Sequence, residues 1–411
     1  MQQQHDIIKN ITEQEGPKNL SILKTAWLPQ PLLLLSLSHM ITDLSQGALP
    51  VLLPALKTTL DLTYTQIGVI VLVQNLTSSI IQPLFGMITD KVSLPWLLPI
   101  SIFLSGLGLA ITGFMPTYTA LLLSVIIGGM GVAGFHPQAS KSVHFVSSDT
   151  LRGRSMGLFS VGGNLGMAVG ASFMMFLTTL PGGLHNSVWF VIPASVTALL
   201  IWRHLDKVSP QSFHVIGKMD AVIKKGVRLR PLLILLTFIF FRSTLHAGLS
   251  TYIPIYYVNY LNGSPIYAGY LLSLFLVGGV LGTFVGAMLS DKLGRKAILT
   301  FSMVIVLPMV AVIPLTTGFV TMILLVFTGF ALISSFATTL VLSQEMMPGY
   351  EGMASGLTIG LTIGLGGVGV TGLGYIADLY GVPAVFHIMP ALPLIGLVLS
   401  LFLPGRLVHR S

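Results

Sequence analysis

The chain contains no cysteine. That excludes disulfides and thiolate metal sites. It is also poor in charge: Asp, Glu, Lys and Arg make up 8% of its 411 residues, against 53% hydrophobic residues. Soluble domains carry about 25% charged residues, so a soluble globular fold is excluded. No P-loop pattern GxxxxGK occurs, so the chain carries no recognisable ATPase of its own. No HExxH or other zinc signature occurs either, and neither a metal nor a cofactor is implied. No nucleophile–base pair stands out, and a membrane enzyme is disfavoured. Residues 1–27 are polar and carry mixed charge, including Asp6, Lys9, Glu13 and Lys24. They lack the apolar stretch and small-residue cleavage site of a secretory signal.

What is present is a succession of long apolar segments. Twelve spans of about 20 residues use roughly 240 residues. The remainder suits loops and tails, not a large soluble catalytic domain. The spans read as 31–54, 65–87, 94–115, 118–140, 156–180 and 187–204, then 231–260, 266–289, 297–316, 319–342, 353–377 and 383–404. This is an all-α membrane protein of twelve transmembrane helices. A cytoplasmic tail over 1–30 precedes a six-helix half over 31–204. A basic linker over 205–230 leads to a second six-helix half over 231–404 and a tail over 405–411.

The formal net charge of +8 reads as basic cytoplasmic loops, not as a nucleic-acid surface. With the N-terminus inside, 19 of the 21 Lys and Arg residues fall in cytoplasmic segments. Only Lys57 lies in an outward loop, and Arg242 lies inside a span. So strong a positive-inside bias requires an even number of spans and puts both termini in the cytoplasm. The expected location is the plasma (inner) membrane.

The chain repeats. Gly86-Met-Ile-Thr-Asp90-Lys91 ends the second span, and Ala287-Met-Leu-Ser-Asp291-Lys292-Leu-Gly294-Arg295-Lys296 ends the eighth, 201 residues later. Gly153-Arg-Ser-Met-Gly157-Leu158 opens the fifth span, and Gly352-Met-Ala-Ser-Gly356-Leu357 opens the eleventh, 199 residues later. Two six-span halves joined by a basic loop are the parallel-repeat plan of many secondary transporters.

With these motifs the chain resembles the major facilitator superfamily over nearly its whole length. The loop motif of that family is well kept from Ala287 to Lys296 and degenerate from Gly86 to Lys91. A closer resemblance is to the bacterial fosmidomycin resistance proteins. It rests on Ser36-Leu-Ser-His39 with Asp43, Gln82-Pro83, Leu94-Pro95-Trp96, Phe135-His136-Pro137, Val161-Gly162-Gly163-Asn164, and Gln344-Glu345 with Pro348-Gly349. The antiporter glycine motif of the fifth span is present as Gly162, Gly166 and Gly170. The resemblance implies a proton-coupled drug efflux carrier. Solute–proton symport or uniport on the same fold stays open as the alternative. The implied partners are a small-molecule substrate, protons and the bilayer, with a monomer as the expected unit.

Several residues bear on chemistry. Ser36, His39, Asp43, Gln46 and Pro50 recur at steps of three and four, so they share one helical face. Asp43 lies about 18 Å along its helix, near the middle of a roughly 30 Å hydrocarbon core. A charged Asp at that depth costs at least about 2.5–3.5 kcal/mol. Asp43 is therefore a candidate proton carrier with His39; the alternative is a structural tie between helices. Arg242 is equally deep, with His246 one turn on. A guanidinium does not lose its proton in a protein, so Arg242 needs an anion or a watery cavity. Asp43 or an anionic substrate could supply that anion. Gln46 and His136 join Arg242 and His246 as candidate substrate contacts. For His136, the alternative is helix termination before Pro137. Gln74, Ser78 and Gln82 could line a pore or bond between helices.

Asp90, Lys91, Asp291, Lys292, Gly294, Arg295 and Lys296 form a candidate conformational latch. Its aspartates would meet helix N-termini, and its bases would face water or lipid phosphate. In the eleventh span Gly364, Gly366 and Gly369 match GxGxxG. They lie inside a continuous apolar segment without the preceding strand that a dinucleotide site needs, so they read as packing glycines.

Overall fold

The computed structural model describes residues 30–147, 152–208, 228–347 and 351–405. The two tails and most of the basic linker lie outside them. So do Pro348 and Gly349, and the side chains of Asp90, Lys91 and Asp291.

All regular structure among the described residues is helical. α1 is Gln30–Thr59, α2 Tyr64–Ser79, α3 Gln82–Lys91 and α4 Leu97–Thr112. α5 is Tyr118–Val146 and α6 Arg152–Thr179; a 3-10 stretch, Gly183–Phe190, leads into α7, Val191–Arg203, and α8, Leu205–Val208. The second half holds α9 Leu229–Ile255, α10 Pro265–Leu293, α11 Arg295–Val312 and α12 Gly318–Ile333. It closes with α13 Ser335–Met346, α14 Glu351–Tyr380, α15 Val382–Ile388 and α16 Ala391–Leu401.

Ten helical stretches are long and apolar enough to cross a membrane. α1, whose 30 residues span about 45 Å, and the shorter apolar α4 complete twelve. The polar stripe of α1 dilutes its hydropathy without shortening it. α2 with α3, α12 with α13, and α15 with α16 are crossings broken into two pieces. The first of these breaks falls just before Pro83, at the start of α3, where the missing N–H costs nothing. By contrast, Pro137 sits inside the continuous α5. The helix does not end at His136, because side-chain packing and membrane burial hold the backbone across one lost bond.

The duplication is written in the turns as well as the motifs. Asp61 and Asn262 are the only non-glycine residues with positive φ among those described (48° and 51°), and they stand 201 residues apart. Asp and Asn tolerate this left-handed conformation best among residues with a Cβ. Gly182 and Gly381, 199 residues apart, also have positive φ (111° and 81°). Both offsets equal those of the sequence repeats.

α1 begins on one face of the bundle, here the near face, and ends on the far face. The seams between the halves pack tightly. Gly68 admits α14, where an added Cβ would lie 2.5 Å from the Thr371 Cα. Its counterpart 201 residues on, Gly269, admits Met175 of α6. The eleventh crossing, α14, is one unbroken helix through Gly364, Gly366 and Gly369. Those glycines have no strand before them, and Gly369 makes room for Thr244 of α9.

Candidate functional site

α1 and α6 pack at backbone distance because glycines face the α1 carbonyls. A Cβ at Gly162, Gly166 or Gly170 would lie 2.0–2.3 Å from the carbonyl oxygens of Ser36, Met40 and Leu44. This close approach sets α6 directly against the polar stripe of α1.

His39 and Asp43, one turn apart on α1, are both buried. His39 Nε2 lies 3.1 Å from Asp43 Oδ2. His136 of α5 brings its Nε2 to 3.5 Å from Asp43 Oδ1, and Gln46 donates to the same oxygen at 2.8 Å. The structure thus assembles four of the residues singled out in the sequence, and it places His136 with the acid. The donor atoms of His39, Asp43 and His136 lie within 4.8 Å of one another. That spacing could take a small cation. The hydrogen bonding itself needs only a proton.

The argument for that proton starts from the other ring nitrogen. His39 Nδ1 lies 2.7 Å from the carbonyl oxygen of Phe159. A carbonyl oxygen only accepts, so Nδ1 carries a hydrogen. A neutral imidazole then has a bare lone pair on Nε2, facing a carboxylate oxygen. A hydrogen bond there requires a second hydrogen, on Oδ2 or on Nε2. Either form leaves the pair with zero net charge, which suits burial. Without that hydrogen, two acceptors would face each other, at a cost of about 1–3 kcal/mol or more for the unmet groups.

Beside Gln46 lies a cavity of about 20 Å³, whose lining includes Ser45, Gln74, Ser105, Thr112 and Ser124. That is room for one water.

Arg242 is buried at mid-depth on α9. Its Nη2 donates to Thr362 Oγ1 at 3.3 Å, and its guanidinium stands 5.3 Å from the centre of the Phe336 ring. Among the described residues it has no carboxylate within 4.0 Å, and Asp43 bonds within its own half instead. Guanidinium offers five N–H donors, so most of its capacity is unused. His246 Nε2 and Ser243 Oγ, also buried, have no hydrogen-bond partner among the described residues. An anion would satisfy this group.

On the near face, Arg295 pairs with Glu345 at 3.4 Å and donates to Ser290 Oγ at 3.1 Å. Lys296 donates to the Leu401 carbonyl, Lys292 is exposed, and Gly294 turns the chain with φ 94°.

The far face holds polar ties that sequence reasoning missed. Asp378, near the end of α14, accepts from the backbone N–H groups of Tyr64 at 2.7 Å and Thr65 at 2.8 Å, and from the Thr65 hydroxyl at 2.5 Å. It caps α2 across the seam between the halves. Asn259 donates to Thr58 Oγ1 at 3.2 Å, joining the end of the seventh crossing to α1. Backbone amides carry no side-chain signature, so only the rarity of acidic residues within the spans could have pointed to Asp378.

Twelve membrane helices in two repeated halves, with buried ionisable groups at mid-depth in each, define a polytopic secondary transporter and not an enzyme. The Major Facilitator Superfamily model matches residues 35–371, and the chain belongs to that family. It is 34% identical over 376 residues to the fosmidomycin resistance protein of Escherichia coli (strain K12), covering 90% of this chain and 92% of that one. It is 31% identical over 386 residues to the MFS-type transporter YfnC of Bacillus subtilis (strain 168), covering 91% and 92%. Among solved structures, a bacterial homologue of the human lysosomal transporter Spinster superposes with a TM-score of 0.71 at 16% identity, covering 92% of this chain and 95% of that one.

Proposed function

We propose that the chain is a proton-coupled drug efflux antiporter of the fosmidomycin resistance type, working by alternating access in the inner membrane with both termini cytoplasmic. The observation that carries the proton reading is the hydrogen bond between His39 Nε2 and Asp43 Oδ2 opposite an Nδ1 already committed to a carbonyl. In the conformation that holds this bond, Asp378 and Asn259 tie the two halves together on the far face, which is the outer face on this reading. Loss of the proton sets two acceptors against each other and favours a rearrangement of α1 against α5 and α6. A proton at this site and closure of the outer face therefore support each other. The identity to the fosmidomycin resistance protein supports drug efflux, and Arg242, His246, Gln46 and His136 are the proposed substrate contacts. The near-face latch, built on Asp90, Lys91, Asp291, Lys292, Gly294, Arg295 and Lys296, would hold the opposite conformation.

A second reading has its own observation. Among the described residues Arg242 has no anionic partner within 4.0 Å, and a protonated Asp43 makes the central region net positive. An anionic substrate and a proton would then bind together, which suits symport. Proteoliposomes carrying candidate compounds under an imposed pH gradient separate the two. Antiport moves the compound against the proton flux, and symport moves it with the flux.

The outer tie gives a direct test of alternating access. Because the chain has no cysteine, a single introduced cysteine is its sole thiol label. Gly364→Cys suits this purpose, since among the described residues an added Cβ there meets only Leu76, at 3.8 Å. Asp378→Ala removes three hydrogen bonds across the seam. We expect it to raise labelling of that cysteine from the far face by about threefold or more, the effect of somewhat under 1 kcal/mol. Unchanged labelling would remove Asp378 from the outer closure.

A further inference from the structure

The imidazole of His39 is held on several sides. The Phe159 ring stacks on it with centroids 4.1 Å apart and planes at 24°. The Phe159 carbonyl takes its Nδ1–H. The Phe135 ring stands 5.8 Å away, and the His136 ring meets it edge-on at 5.1 Å. The remaining side is Gly163, one helical turn beyond Phe159. A Cβ built there would lie 2.3 Å from Nε2, 2.5 Å from Cε1 and 2.7 Å from Cδ2 of His39. Real Cβ atoms do not approach so closely, so the ring rests on the bare Cα of Gly163.

Gly163 stands apart from its glycine neighbours. Gly162, Gly166 and Gly170 face α1 backbone carbonyls and set the distance between helices. Gly163 is one residue off that stripe, about 100° around the helix. What it meets is a side chain, at the ring edge that faces Asp43.

We propose that Gly163 is a positioning residue for the proton site, a notch that lets the His39 ring reach Asp43 and the Phe159 carbonyl at once. Any side chain at 163 would push Nε2 away from Oδ2. Only glycine leaves both ring nitrogens in register with their partners. The inference rests on the proton reading given above, and its test must tell the two apart.

The test uses the full-length protein, labelled with 15N-histidine, in lipid nanodiscs. His39 resonances are identified by their loss in His39→Gln. In the wild type, His39 Nε2 should titrate together with Asp43, and its Nδ1–H should show the low-field proton signal of a strong bond to a carbonyl. Gly163→Ala is expected to move the titration midpoint by about one pH unit or more, about tenfold in proton affinity, and to weaken the Nδ1–H signal. Gly157→Ala, also on α6, brings its Cβ within 4 Å of nothing among the described residues and is expected to leave the midpoint in place. Equal shifts in both variants, or none in either, would overturn the proposal. If wild-type His39 and Asp43 exchange no proton between pH 5 and pH 9, the coupling reading fails by itself. The Nδ1–H signal then decides the positioning claim, which stands if Gly163→Ala removes that signal and falls if the signal persists. Should Gly163→Ala fail to fold, His39→Ala added to it must restore folding, because the clash is with the imidazole. Failure of that rescue would also overturn the proposal.

Discussion

Asp43→Asn is expected to abolish gradient-driven accumulation while leaving substrate exchange largely intact. Asparagine keeps the shape of the acid. Its carbonyl can still accept from Gln46, and its amide can donate to the bare Nε2 of His39. It is therefore a fixed copy of the protonated pair, unable to release the proton. A carrier with one proton per substrate holds about a tenfold concentration ratio under a one-unit pH gradient, because one pH unit is worth about 1.4 kcal/mol. The variant should hold a ratio of about one. It should also favour the conformation closed on the far face, since the repulsion that opens that conformation never arises. The measurement is uptake into proteoliposomes with and without a pH gradient, alongside exchange at equal pH on both sides. Concentrative transport at the wild-type level would remove Asp43 as the coupling site.

The parts of this molecule that could be read from its sequence follow from the physics of each signal. Hydropathy and the two repeat offsets carry the twelve-crossing plan, because a membrane imposes both a length and a polarity on every crossing. Ends were less legible. The first span was expected to stop near Pro54, yet α1 runs to Thr59 with Pro50 and Pro54 inside it. The Thr58 hydroxyl donates to the Pro54 carbonyl at 3.1 Å and helps carry the helix past the prolines. The stripe of His39, Asp43 and Gln46 was legible because it is local, with one helix supplying its period. The meeting of Asp43 with His136 was not, since it depends on how α5 packs against α1, 93 residues away in sequence. The Asp378 tie was hidden for a different reason: its partners are mainly main-chain donors. Gly163 carried no signal of its own in the sequence, because its neighbour, the imidazole of His39, comes from another helix.

On the proposed reading, Arg242 would decide what kind of substrate the second half can hold. A buried guanidinium with one 3.3 Å bond to a hydroxyl among the described residues is far from satisfied by them, and at mid-depth the bilayer offers no water shell to compensate. The expected occupant is an anion that accepts two parallel hydrogen bonds from the guanidinium fork. His246 Nε2, one turn away and without a hydrogen-bond partner among the described residues, could supply a further contact. Arg242→Lys keeps the charge and loses the fork; Arg242→Gln loses both. Hydrogen bonds to charged groups contribute about 1.5–3 kcal/mol each. Anion affinity should therefore fall in the order Arg, Lys, Gln, with a loss of about tenfold or more at the first step and about a hundredfold or more at the second. The pH dependence has a definite sign. Protonating the His39–Asp43 pair removes a negative charge from the central region, so wild-type anion binding should tighten as pH falls. In Asp43→Asn that tightening should disappear, because the charge is already gone. Binding isotherms for a chosen anion across pH, on all four proteins, make the comparison. Equal affinity in the three Arg242 proteins would make Arg242 a structural residue held by Thr362 and Phe336. A neutral or cationic compound that binds all three alike and competes with the proton at Asp43 would place the substrate site in the first half, where antiport is the simpler exchange.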